Sequence, residues 1–458
     1  MTRGSTPAES DGHARGVFTE SMVTIGSRVA IVLINIPTSI LIARLLGPEG
    51  QGTYFSAVVF PTLFAFVGLL GIDASHTFLL SKRRYSIAEI NGQSVLLTVV
   101  LSALTVPAYL VFIRFYGGAG APGLRSLLYL AALLIPVLMA KYLSVAFLLG
   151  VQRIRWFNIA NMVQAAGLLG LMCLNLLVFH GGPRGALIVY LVSEITMTVI
   201  AVSIARREVA PGPLVRRPPP GLFRRAAVYG LQGHVGNVLV QFLYRFDTFL
   251  ILSFVGLGGQ GLYSVAVVLA EKLSHIPQSV QVVLFPKLSS LGKEEADRLT
   301  PRVMRNSFLL TAVAAVILLA LSRPILILFY GSEYTSALTS FRILIPGVLM
   351  LSINTILSGD LSARDKRIYQ TIANSIGFGL NVILCLVWIP RLGIEGAAWA
   401  SMAAYTTQSV VMLAFFRRLS GRGIAETVLV RREDFELYGR LLRRLARRGD
   451  GRPRVSGR

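Results

Sequence analysis

Twelve apolar runs, each about as long as a bilayer is thick, constrain this chain more than any other feature. They cover roughly residues 23–46, 53–80, 93–116, 124–150, 157–180, 185–205, 226–254, 261–285, 307–330, 336–362, 370–390 and 396–416. A helix needs about 20 apolar residues to cross the hydrocarbon core. Lipid offers no partner to a free backbone N–H or C=O, so each run is expected to be helical. Composition agrees. Hydrophobic residues make up 54% and charged residues only 15%, against about 25% charged in a soluble domain. The expected fold is an all-α polytopic membrane protein of twelve spans.

The net charge of +23 invites a nucleic-acid reading, but its distribution argues against one. With the N-terminus inside, 34 of the 45 Lys and Arg fall in segments on the cytoplasmic side, and only Arg184 and Arg391 fall in outer loops. That is the positive-inside asymmetry, which predicts both termini in the cytoplasm. Residues 1–22 are polar and lack the apolar stretch of a cleavable signal, so span 1 is expected to serve as an uncleaved insertion signal. The two cysteines, Cys173 and Cys385, both sit inside spans and suggest neither a disulfide framework nor a metal site.

The spans fall into two copies of six. GPEGQGTYFSAVV (Gly47–Val59) returns as GLGGQGLYSVAVV (Gly256–Val268), identical at eight of thirteen positions. LIP at Leu134–Pro136 returns at Leu344–Pro346, IAN at Ile159–Asn161 at Ile372–Asn374, and GPRGA (Gly182–Ala186) as GIEGA (Gly393–Ala397). Matches in the same order at offsets of 209 to 213 indicate duplication. Because six is even, the two halves should be related by an axis along the membrane normal. The expected organisation is a cytoplasmic segment (1–22), an N-lobe of spans 1–6 (23–205), a Pro- and Arg-rich cytoplasmic linker (206–225), a C-lobe of spans 7–12 (226–416) and a basic tail (417–458). In that tail, EDFELYGRLLRRLARR could form a basic amphipathic helix on the anionic inner leaflet. Gly50, Gly52, Gly259 and Gly261 are assigned to tight outer turns at matching corners of the lobes.

No catalytic motif stands out, so an enzyme is disfavoured, and no cofactor is implied. The informative residues are ionisable groups inside spans, each costing about 2.5–3.5 kcal/mol at a helix centre and expected to face a bundle interior or a wet cavity. In span 7, His234, Asn237, Gln241, Tyr244 with Arg245, and Thr248 recur every three or four residues and form one stripe. In span 1, Arg28, Asn35 and Ser39 lie over Asn237, Tyr244 and Thr248 at the 209 offset. A polar face at the same place in both lobes predicts a cavity between them, to which Lys141 and Arg342 are also assigned. Asp247 lies about 200° round the helix from Arg245 and is expected to tie span 7 to its own lobe. Asp73, Glu194, Glu271 and His275 are candidates for ion or proton coupling, or for pairing within a lobe.

Several segments resemble a known family. Gly256–Ala266, AEKLSHIPQSV (Ala270–Val280) and VLFPKLSSL (Val283–Leu291) resemble the second-half signature of polysaccharide and lipid-linked oligosaccharide flippases. ARLLGPEGQGTYFSAVVFP (Ala43–Pro61) resembles their first-half signature. These flippases belong to the multidrug/oligosaccharidyl-lipid/polysaccharide exporter superfamily. The resemblance implies a V-shaped, MATE-like pair of six-helix lobes that moves a polyprenyl-diphosphate-linked oligosaccharide across the cytoplasmic membrane by alternating access. It further implies that Arg28 and Arg245 meet the diphosphate, where charge-assisted hydrogen bonds are strongest. Implied partners are the lipid-linked substrate, membrane lipid, and the polymerase and glycosyltransferases of surface polysaccharide assembly. The chain departs from lipid II flippases in having IVLINI at Ile31–Ile36, where an Arg-Asp pair is expected, and in having twelve spans rather than fourteen. A cation-coupled small-molecule antiporter of the same fold is the alternative, and an intramembrane glycan polymerase or ligase a weaker one.

Overall fold

The computed structural model describes residues 7–116, 122–209, 212–429, 431 and 433–434, and of these the side chains from residue 26 onward other than 122, 209, 283 and 286. Among the described residues there are helices and no strands. Among the described residues, nine helices are long and apolar enough to cross a membrane, which makes this a multi-pass membrane protein. Two of the nine make two crossings each. Pro7–Gly68 is broken at Gly47 (φ 66°, ψ 178°) and Arg367–Ser420 at Gly393 (φ 59°, ψ −135°). Leu257–Glu271 and His275–Ser290, joined by a 3₁₀ turn over Lys272–Ser274, form one further crossing. The twelve spans are thus residues 7–46, residues 48–81 with a break at Leu70–Gly71, Ile87–Phe115, Pro122–Gly150 in two helices, Ile154–Val178, Gly182–Val209, Leu222–Phe254, residues 257–290, Lys293–Tyr330, residues 332–363, residues 367–392 and residues 394–420.

The repeated glycines explain the breaks. The first glycine of each long repeat, Gly47 and Gly256, and of each short one, Gly182 and Gly393, has positive φ. That conformation is disfavoured for a residue with a Cβ. Span 1 is helical from Pro7, well before residue 23, and runs through Asp11-Gly12 and Gly16, which as turn signals would have been expected to interrupt it. The linker is also not free chain: the Arg216 N–H donates to the Ala88 carbonyl (2.8 Å) and Asn91 Nδ2 to the Leu214 carbonyl (3.3 Å), docking it on the start of span 3. The amphipathic candidate at Phe435 and beyond lies outside the described residues.

The apolar cores follow the two halves of the chain, with an exchange. The largest draws on residues from Ala57 to Ala205, plus Leu222, Ala226 and Leu252 of span 7. The second draws on residues from Leu243 to Tyr405, plus Ala43 of span 1. Each first span therefore reaches into the core of the opposite half as well as that of its own. Two tyrosines clasp the exchange: Tyr116, ending span 3, donates to the Phe249 carbonyl, and Tyr330, ending span 9, bonds Ser39 at 2.7 Å. Tyr334 adds a bond from its hydroxyl to the Ala43 carbonyl (3.0 Å).

One buried cation ties the segment after span 12 to the bundle. Arg305 on span 9 is 5% exposed and forks onto the 1% exposed Asp434 carboxylate at 2.6 and 3.1 Å, while its third nitrogen reaches the Glu426 carbonyl (2.8 Å). Arg305→Ala strands that carboxylate and is expected to cost about 3–5 kcal/mol. The measurement is the thermal unfolding midpoint in detergent, and an unchanged midpoint would refute the assignment.

Candidate functional site

The two repeated turns meet each other. A Cβ on Gly52 would lie 2.0 Å from the Leu257 carbonyl oxygen, and one on Gly261 would lie 1.8 Å from that of Pro48. Backbone touches backbone here, and Gln51 Nε2 donates to Ser264 Oγ across the seam (3.2 Å). Gly50 and Gly259 pack within their own halves, where an added Cβ would lie at ordinary contact distance (3.5 Å) from Pro183 and Ile394, equivalent positions of the short repeat. None of these four has positive φ, which falls at Gly47 and Gly256 instead. The sequence assignment of these glycines to tight turns is therefore corrected: all four are helical residues, and Gly52 and Gly261 are the two that let the halves touch. This end of the bundle is the seam end. The other, carrying Lys82–Arg84, Arg224, Arg225 and Arg364–Arg367, is the basic end.

Away from the seam, the halves leave an open cavity of about 850 Å³ between them. Span 2 contributes Phe66, Asp73 and Thr77, span 4 Tyr142, span 7 His234 and Asn237, and the turn into span 11 Asp365 and Arg367. The break at Leu70–Gly71 is what brings span 2 against span 7. Both residues have positive φ, and a Gly71 Cβ would meet the Gly230 carbonyl oxygen at 2.5 Å. His234 is buried by that approach, with Nε2 3.3 Å from the Val67 carbonyl oxygen and its ring 5.3 Å from Phe66. A smaller chamber of about 310 Å³ shares Gln232, Asn237 and Arg367 with the cavity and adds the polar Gln370, Thr371 and Asn374. The Gln232, Asn237 and Gln370 amides can donate to and accept from hydroxyl-rich ligands, while Asn374 is buried and held by Gly236 and Gln408.

The candidate residues divide between the cavity and the packing. Asp73, His234 and Asn237 line the cavity; Gln241, Tyr244 and Arg245 lie beyond it on span 7, toward the seam. Gln241 is half-buried, and the Tyr244 ring meets Tyr405 edge-on at 5.7 Å. Arg245 forks onto Glu271 of span 8 at 2.8 and 2.9 Å, both side chains about a quarter exposed, with the guanidinium 6.0 Å from the Phe55 ring of span 2. Asp247 is buried, accepting from Tyr263 (2.6 Å) and Ser401 (3.4 Å) in its own half. Arg28 and His275 are exposed and Asn35 is half-buried.

None of the four assigned cavity cations lines this cavity: besides Arg28 and Arg245, Lys141 and Arg342 are elsewhere. Lys141 pairs with the buried Glu194 at 2.8 Å, joining spans 4 and 6. A carboxylate at 3% exposure holds a cation against it, because either charge alone would be costly to bury. Arg342 is exposed and donates to Ser322 at 2.9 Å, near the start of span 10. Sequence reasoning also missed Tyr142, Tyr229, Gln232 and Arg367. It missed the clasping tyrosines too, although FYG at Phe115–Gly117 and at Phe329–Gly331 is a repeat at offset 214.

The family model for polysaccharide biosynthesis proteins matches residues 17–292, more than half of the chain. The chain belongs to that family. A second model, for the lipid II flippase MurJ, matches residues 223–434. An uncharacterized membrane protein of Methanocaldococcus jannaschii is 26% identical over 206 residues, 43% of this chain and 40% of that protein, so the match spans about two fifths of that relative's length. A Shigella flexneri protein named for O-antigen transport is 23% identical over 338 residues, 68% of this chain and 76% of the relative. The fold of this polysaccharide biosynthesis family member is that of MurJ in an inward closed conformation, with TM-score 0.73 and 17% identity over 88% of this chain and 90% of that one. It is also that of an inward-facing MATE-family multidrug transporter, with TM-score 0.71 and 14% identity over 88% and 98%.

Proposed function

We propose that this protein is a flippase. It carries a polyprenyl-diphosphate-linked oligosaccharide across the bacterial cytoplasmic membrane by alternating access, for surface polysaccharide assembly. The observation that carries the reading is the cavity of about 850 Å³ between two duplicated halves, lying apart from the interlocked seam. Its volume is in the upper part of the range for ligand sites, roughly 300–1,000 Å³. The adjoining amide chamber suits sugar hydroxyls. The family match and the relative named for O-antigen transport support a glycan as cargo.

The basic end lies in the cytoplasm in this reading, with both termini, because 34 of the 45 cationic residues fall on that side. The cavity then takes its cargo from the inner leaflet while the seam closes the outer side. Polymerase and glycosyltransferases act before and after it. A cation-coupled antiporter is the second reading, favoured by Asp73 and Asp365 on the cavity wall.

Deleting the protein is expected to trap lipid-linked glycan in the inner leaflet and to remove surface polysaccharide. The check is protection of the lipid-linked pool from an external glycosidase in spheroplasts. A pool that stays accessible outside after deletion would refute the flippase.

A further inference from the structure

A second chamber, of about 600 Å³, opens at the basic end beside the cavity. It is lined by Arg84 at the end of span 2, by Arg224 and Arg225 at the start of span 7, and by the Tyr85 hydroxyl, with no carboxylate on its wall. Among the described residues, none of these three arginines is in an ion pair. Arg225 donates to the neutral Tyr85 Oη at 2.6 Å, and Arg84 and Arg224 make no side-chain hydrogen bond. Gly221, also on the wall, has φ 80° and begins the 33-residue helix Leu222–Phe254, whose N-terminus has no side-chain cap. Three unneutralised guanidinium groups and the positive end of a long helix therefore converge on one space. Their chemistry fits phosphate oxygens, which accept paired N–H bonds from arginine and backbone N–H bonds at helix starts.

Two further features connect this chamber to the membrane and to the cavity. Val228, on the chamber wall, and Leu231 and Val235 further along span 7 are exposed, an apolar track for a hydrocarbon chain. Phe78, Tyr229 and Gln232 line both chambers, and the Phe78 and Tyr229 rings stack at 4.3 Å and 12°, standing as the partition between them.

We propose that the Arg84–Arg224–Arg225 chamber is a binding site for the phosphate headgroup of a membrane-anchored lipid, placed to receive it before the main cavity does. For a prenyl diphosphate as the source, the proposal rests on the flippase reading. For a phospholipid it does not.

The test uses the full chain in phosphatidylcholine nanodiscs, with farnesyl diphosphate as probe and inorganic pyrophosphate as competitor. The variant Arg84→Gln/Arg224→Gln/Arg225→Gln is expected to bind the probe about tenfold or more weakly, since the charge-assisted hydrogen bonds of the three guanidinium groups would supply a large share of the affinity. Arg417→Gln/Arg418→Gln, which removes two charges at the same end, is expected to bind as wild type does. Adding phosphatidylglycerol to the nanodisc separates the sources. Competition one for one assigns the site to phospholipid headgroups, and indifference assigns it to prenyl diphosphates. Equal binding by the triple variant and wild type overturns the site, as does an equal loss in the Arg417/Arg418 control. If the triple variant misfolds, Arg224→Gln alone decides, with unchanged binding counting against the site. Glycan export by the wild type is read separately, so a failed chamber leaves the flippase standing, and a failed flippase leaves probe binding intact.

Discussion

Arg245→Ala is expected to abolish glycan export while leaving the protein folded and inserted. Arg245 stands in span 7 between the cavity and the seam, and its fork onto Glu271 joins that span to span 8 one residue before the 3₁₀ turn at Lys272. A 3₁₀ segment within a helix often marks a hinge, so this pair sits where span 8 would bend as the halves move. Losing one partner of a fully buried pair costs about 3–5 kcal/mol. Both members here are about a quarter exposed, so the cost is smaller and the fold should survive. Arg245→Lys should recover only part of the export, because an ammonium cannot reproduce the two-point fork. Glu271→Gln separates two roles for the arginine. Retained export would make Arg245 a contact for the cargo, and lost export would make the pair itself the moving part. The measurement is surface glycan in a deletion strain complemented with each variant, alongside thermal unfolding. Normal export by Arg245→Ala would remove this residue from the mechanism.

Gly261→Ala is the second large effect. The substitution adds one carbon, and that carbon would stand 1.8 Å from the Pro48 carbonyl oxygen and 3.0 Å from the Gly52 amide nitrogen. Backbone atoms of a helix start cannot rotate away as a side chain can, so the halves must part at the seam. Helix propensity acts in the opposite sense, favouring Ala over Gly by about 0.8–1.0 kcal/mol. A loss therefore reports the steric clash and not the helix. Gly379→Ala, where a Cβ meets nothing within 4 Å, is the matched control and should be neutral or slightly stabilising. Gly261→Ala should lower export by about tenfold or more, since holding the seam apart by even about 1.4 kcal/mol shifts that equilibrium tenfold. Distances between spin labels at Glu49 and Gly258 should lengthen. Normal export with unchanged distances would show that the seam yields without cost.

Much of the architecture was legible because its causes are local. Span length follows from bilayer thickness, helicity from the absence of water, and the breaks at Gly47, Gly182, Gly256 and Gly393 from the backbone freedom that a missing Cβ gives. The duplication was readable because both copies kept the glycines at these corners. Asp247 was readable as a residue off the Arg245 face, since about 200° of rotation is a property of one helix.

The site was legible only in part. The polar stripe of span 7 is continuous in sequence, but His234 and Asn237 line the cavity while Tyr244 and Arg245 are taken by Tyr405 and Glu271. Periodicity gives the face a residue occupies and says nothing of what stands opposite at each level. Lys141 and Arg342 failed as cavity residues for that reason. Each is a cation in a span, and which anion or hydroxyl reaches it depends on how other spans pack beside it.

The sequence by itself determined that this chain crosses a membrane as two matched sets of six helices, because hydropathy, glycine placement and internal identity are written residue by residue. Only the tertiary structure decided that the matched turns press backbone against backbone, and that each lobe's first span reaches into the core of the other half under Tyr116 and Tyr330. It likewise decided where the halves leave an open cavity. These features join positions about 100 to 300 residues apart, and no local rule of spacing or propensity carries information over that distance.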